Sequence, residues 1–125
     1  MNPALAICTG AIVGALMRWR LQIWLNPDGL IPWGTLAVNL IGGYLIGVCI
    51  GIFQAMPEID PVWRLALITG FLGTLTTFSS FSGEVVLMLQ AERHLVAAGT
   101  ILIHVAGSLL LTVIGMKSVA LVLAR

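Results

Sequence analysis

Charged side chains are excluded from four long stretches of this chain, and nothing constrains its fold more. Residues 1–17 carry none, and Arg18, Arg20 and Asp28 follow. Residues 29–57 carry none before Glu58, Asp60 and Arg64, and residues 65–83 none before Glu84, Glu92 and Arg93. From 94 to 116 the only titratable side chains are His94 and His104, with Lys117 and Arg125 beyond. Only 9% of the 125 residues are charged and 59% are hydrophobic, against about 25% charged in a soluble domain. The chain reads as an all-α membrane protein with room for about four spans of ~20–25 residues. The spans are expected at about 4–25, 32–54, 62–90 and 96–122, as one transmembrane domain covering residues 1–125 with no further soluble domain.

Local signals support those limits. Asn2-Pro3 and Asp60-Pro61 pair a capping side chain with proline at the first helical position, and Pro32 suits the start of the second helix. Trp19, Trp24, Trp33 and Trp63 fall near span ends, where an interfacial aromatic belt belongs. Cys8 and Cys49 lie in apolar runs and are expected as buried free thiols. With four spans, both termini and the second loop share one side, which holds Arg64, Lys117 and Arg125. The other side holds Arg18, Arg20 and Arg93, so the positive-inside rule gives no preference. Insertion in both orientations follows, and such a protein can pair as an antiparallel dimer. A net charge of +1 offers nothing to nucleic acid.

Small residues four apart, Gly10-x3-Gly14 and Gly43-x3-Gly47-x3-Gly51, let membrane helices approach closely. Polar side chains at depth need partners. Asn39 either bonds another helix or lines an aqueous vestibule. Arg18 lies four after Gly14 and is the better candidate for an inward cation, whereas Arg20 suits a snorkelling anchor. His104, Ser108 and Thr112 recur every four residues and share a helix face, as a polar track or as interhelical bonds. Glu84 is an intramembrane carboxylate, which is costly and usually functional. It is expected protonated, bonded to the hydroxyls before it, or facing water.

The stretch Gly70–Ser82 is the densest of these features, with hydroxyls at Thr74, Thr76, Thr77, Ser79, Ser80 and Ser82 and no charge. Glycine and β-branched threonine weaken a helix, so a break is expected at roughly 73–77. Its free carbonyls would suit a cation and its free amides an anion. Phe78 and Phe81 are three apart and meet on one helical face, either as packing or as ring edges turned to an anion. A small anion needs attraction enough to offset lost water, but not enough to trap it.

Taken together, the chain resembles the Fluc (CrcB) fluoride channel family over its whole length. The resemblance rests on Gly10-Ala-Ile-Val-Gly-Ala-Leu-Met-Arg18, Gly34-Thr-Leu-x2-Asn39-x2-Gly42 and Gly70-x2-Gly73-Thr-x-Thr76-Thr77-Phe78-Ser79-Ser80-Phe81-Ser82. It implies an antiparallel dual-topology homodimer with two fluoride pores and the third helix broken near its middle. Phe78, Phe81, Asn39, Thr77, Ser79, Ser82, His104, Ser108, Thr112 and Glu84 would line a pore, and Arg18 its vestibule. Main-chain carbonyls of Gly73 and Thr76 would hold a central structural sodium ion. No organic cofactor is expected.

The expectation is a passive, fluoride-selective channel in the bacterial inner membrane, exporting fluoride from the cytoplasm. The alternative is a small proton-coupled multidrug exporter, which would rely on an acidic residue in the first helix, where residues 1–17 have none. A purely structural membrane protein leaves the hydroxyls unexplained. With no nucleotide motif or catalytic triad in the sequence, an enzyme is not expected.

Overall fold

The computed structural model describes residues 1–26 and 31–125. Asp28, the acidic residue marking the end of the first span, lies outside them. Among the described residues, four helical segments are long and apolar enough to cross a membrane. The first is α1 (Pro3–Leu25) and the second α2 (Trp33–Ala55). The third, Pro61–Gln90, is composite. It runs as α3 (Pro61–Arg64), a π-helical segment (Leu65–Leu72), α4 (Gly73–Leu75) and α5 (Phe78–Gln90). The fourth is α6 (His94–Leu123).

The starts follow from local chemistry. Asn2 Oδ1 accepts from the Ala4 amide at 2.8 Å, and Asp60 Oδ1 from the Val62 amide at 2.9 Å, each with proline behind the cap. These bonds satisfy amides that a helix start leaves orphaned. Between α5 and α6 the chain reverses through Glu92, whose φ of 58° is left-handed. There the Arg93 amide reaches back to the Met88 carbonyl at 2.9 Å, closing the helix end.

Two close pairings build the body: α6 along α2, and α1 along the π-helical segment. Both depend on missing side chains. A Cβ on Gly47 would strike the Thr112 carbonyl of α6, and one on Gly10 would strike the Ala66 carbonyl of the third span. Backbones this near gain van der Waals contact, which drives helix association where lipid is as apolar as leucine. The wide π turns lie where Gly10, Gly14 and Gly70 bring α1 against them.

The buried apolar core is small. Val38, Leu72 and Leu75 form one cluster at the break, and Phe81, Val85, Met88 and Ala97 another between α5 and α6. Large apolar side chains such as Leu95, Leu102 and Leu121 point outward instead. Both cysteines are free, but Cys8 is exposed on the outer face of α1 rather than buried, and Cys49 is half-buried. A span is apolar on its lipid side as well as its protein side, so an apolar run does not say which way a thiol faces.

Gly47→Val is expected to force α2 from α6 and cost about 1–3 kcal/mol, as overpacking does. Gly83→Ala is the control, because a Cβ there meets nothing within 4 Å. Thermal unfolding in detergent should show a lowered midpoint for the first and none for the second.

Candidate functional site

The break falls at Thr76 and Thr77, at the C-terminal edge of the expected window. Both are extended, with φ/ψ of −81/157° and −150/111°. Gly73 stays helical at −62/−27°. The helical bonds of the Thr77 and Ser80 amides are lost there, and side chains replace these two. The Thr77 amide donates to Asn39 Oδ1 at 2.8 Å, and Asn39 Nδ2 donates back to the Thr77 carbonyl at 3.1 Å. One amide side chain thus pairs with both backbone groups of a single residue, as a neighbouring strand would. The Thr77 hydroxyl accepts from the Ser80 amide at 3.2 Å and caps α5.

These replacements free two carbonyls. Thr77 N–H is the helical partner of the Gly73 carbonyl, and it is taken by Asn39. Ser80 N–H is the helical partner of the Thr76 carbonyl, and it is taken by Thr77 Oγ1. Arg18 turns inward, half-buried, and Nη1 donates to the Thr76 carbonyl at 3.4 Å. That carbonyl keeps a second lone pair. Arg20 is exposed. The donor set at Gly73 and Thr76 is two neutral oxygens, which suits a hard monovalent cation.

The other hydroxyls divide by task. Thr74 Oγ1 donates to carbonyls, with Ala11 of α1 at 3.0 Å and its own Gly70 at 2.9 Å. Thr76 Oγ1 bonds back to the Leu72 carbonyl at 2.9 Å. Ser79 and Ser80 hydroxyls lie 3.4 and 3.0 Å from Thr77 Oγ1. On α6, Thr112 Oγ1 bonds the Gly43 carbonyl of α2 at 2.9 Å, and Ser108 Oγ the Asn39 carbonyl at 3.5 Å. The α6 stripe therefore joins helices.

It also lines a cavity. About 510 Å³ of space opens beside the break, bordered by Asn39, Gly73, Thr76, Thr77, Phe78, Phe81, His104, Ser108 and Thr112 among others. Its lining includes no Asp, Glu, Lys or Arg. Phe78 and Phe81 meet edge to face, centroids 5.6 Å apart, and Phe81 lies 4.4 Å from the His104 ring. Phe81 is buried, whereas Phe78 is 77% exposed at the margin. Arg18, Ser79, Ser82 and Glu84 lie outside this lining.

Glu84 finds its partner on α2, not among the hydroxyls of its own span. Thr35 Oγ1 donates to Glu84 Oε1 at 2.6 Å, and Gln22 Nε2 donates to Thr35 Oγ1 at 3.4 Å. Glu84 Oε2 is buried without a partner among the described residues. Thr35, fully buried, was missed from sequence. Its signal was a hydroxyl beside Gly34 in the Gly34–Gly42 segment, but its partner is 49 residues away.

Four apolar helices of spanning length, with polar groups gathered at one broken span, define a small multi-pass membrane protein. Residues 5–116 match the family described as CrcB-like protein, Camphor Resistance (CrcB). The chain is 62% identical to the "Fluoride-specific ion channel FluC" of Albidiferax ferrireducens, over 99% of this chain and 95% of the relative. It is 66% identical to that of Paracidovorax citrulli, over 95% of this chain and 94% of the relative. The chain belongs to the CrcB family and is a bacterial membrane protein.

Asn39→Leu is expected to leave the Thr77 N–H and one acceptor site of its carbonyl unpaired, at a cost of about 2–4 kcal/mol. Hydrogen exchange at the Thr77 amide should quicken by two orders of magnitude or more. Unchanged exchange would mean that Asn39 does not hold the break.

Proposed function

We propose that this protein is a passive, fluoride-selective channel that lets the anion leave the bacterial cytoplasm. The carrying observation is the cavity at the break, where two phenyl rings, hydroxyls and one amide meet and no Asp, Glu, Lys or Arg enters the lining. The names of the two relatives point the same way. Fluoride enters a cell as HF from acid surroundings, ionises at neutral pH and is trapped. A channel returns it down its electrochemical gradient, aided by a negative-inside potential. Along the path, Phe78 and Phe81 would turn partly positive edges to the ion. Thr77, Ser79, Ser82, Ser108 and Thr112 would replace its water, with Asn39 and Arg18 at the vestibule and Glu84 beyond. The exporter reading is not favoured, because α1 holds no acidic residue.

The working unit in this reading is an antiparallel dual-topology homodimer with two pores. Three basic residues on each side support it, as do the outward apolar faces and the exposed Phe78 at the cavity's margin. A structural sodium ion fits the carbonyls of Gly73 and Thr76, which the break leaves without helical partners. Bound there, it would supply a fixed positive charge between the two breaks of a dimer.

The test is anion efflux from liposomes holding the purified protein. Rapid fluoride efflux without chloride efflux is expected, and a folded protein that passes no fluoride would sink the reading. Phe81→Ile should cut fluoride flux at least about tenfold, the scale of one lost interaction of ~1.4 kcal/mol, while the fold survives. Flux at the unsubstituted level would make Phe81 a packing residue only. Replacing sodium by a large organic cation should lower the unfolding temperature; indifference to sodium would argue against the Gly73/Thr76 site.

A further inference from the structure

The two ring nitrogens of His104 are chemically distinct, and the bonds around Asn39 decide which one carries the proton. Thr77 N–H is an obligate donor, so the Asn39 atom 2.8 Å from it is Oδ1. The other amide atom faces the Thr77 carbonyl, an obligate acceptor, at 3.1 Å, so it is Nδ2. Each bond alone fixes the orientation, and they agree. Nδ2 also lies 3.1 Å from His104 Nδ1. It has only hydrogens to offer, so Nδ1 must present its lone pair. An imidazolium has no such lone pair, because both its nitrogens donate. The ring is therefore neutral, with its proton on Nε2.

Nε2 has no hydrogen-bond partner among the described residues, and Glu84 Oε2 is the one buried partnerless side-chain N or O atom among them. Nε2 is thus not sealed in, and His104 borders the cavity with Phe81, Ser108 and Thr112.

We propose that Asn39, itself locked by the broken backbone at Thr77, holds His104 as the uncharged Nε2–H tautomer and so aims a neutral N–H donor into the cavity for a small anion. The donor role rests on the reading of the cavity as an anion path; the tautomer does not. The bonds run in one direction, from Thr77 N–H through the Asn39 amide to the imidazole, and each polarises the next. The helix break thereby sets the strength of a donor on another helix. A neutral donor attracts fluoride without the grip of a full charge in a medium of low dielectric.

The test is the nitrogen spectrum of 15N-histidine protein in bilayers at neutral pH. His94→Gln removes the other histidine, which lies at the exposed start of α6. A bare Nδ1 and a protonated Nε2 are expected, with Nε2 moving when fluoride but not chloride is added. A protonated Nδ1, alone or with Nε2, overturns the assignment, and an Nε2 signal blind to fluoride overturns the donor role. Asn39→Asp places an acceptor opposite Nδ1 and should draw the proton there; an unchanged tautomer means Asn39 does not set it. In efflux, His104→Gln keeps a donor and should stay within about threefold, whereas His104→Leu should lose at least about tenfold. Equal flux in both overturns the donor role. A folded protein without any fluoride flux would sink the channel reading and the donor role with it, while the spectrum still decides the tautomer.

Discussion

Lipid offers a peptide group no hydrogen bond, so a helix can break at membrane depth only where protein groups or a water-lined cavity take over its bonds. The rest of this structure depends on how Thr77 meets that condition. Asn39 supplies both an acceptor and a donor to the backbone of one residue, and the Thr77 hydroxyl caps the helix that follows. An amide is the smallest side chain that carries both functions at the right separation. Asparagine is therefore a structural necessity here before it is anything else. Because its nitrogen has a second hydrogen, the same group also reaches His104.

Close packing brings those partners within reach. The Asn39 side chain is short, and it spans from α2 to the third span and to α6 only because these backbones nearly touch. Gly42, against the Thr76 side chain, and Gly43, against the Ser108 backbone, flank the asparagine's own turn of α2. Glycine packing and polar chemistry are thus one device. Helices held farther apart would leave Asn39 bonded to one neighbour at most.

Features set by neighbouring residues were legible in the sequence. The caps at Asn2 and Asp60 and the four spans follow from runs and pairs of adjacent residues. The break was placed to within a few residues, but Gly73, the weaker helix former, stays helical. The chain opens instead where Asn39 can take the bonds, and a residue 38 positions earlier leaves no mark on local propensity. The π-helical turns are hidden for the same reason, since they lie against glycines of α1. The Gln22–Thr35–Glu84 chain joins three helices at separations that no periodicity encodes. The readings of Asn39 and of the α6 stripe as glue or as lining were posed as alternatives. Their geometry does both, because a group that joins helices around a cavity also borders it.

On the proposed reading of the cavity as an anion path, the placement of the charged groups follows from what that path must avoid. At low effective dielectric a unit charge a few ångströms away acts on an ion with several kcal/mol, many times a neutral hydrogen bond. A guanidinium in the path would hold an anion, and a carboxylate would repel it. Neither Arg18 nor Glu84 enters the lining. Arg18 is turned onto the Thr76 carbonyl, and Glu84 is tied to a fully buried threonine on α2. The broken backbone therefore acts twice on the electrostatics. Its carbonyl at Thr76 engages the nearest cation, and its amide at Thr77 orients Asn39 and, through it, an uncharged imidazole. What remains bordering the cavity is a set of hydroxyls, one amide, one imidazole and two phenyl rings. Such a surface can offset part of an anion's hydration and still release it.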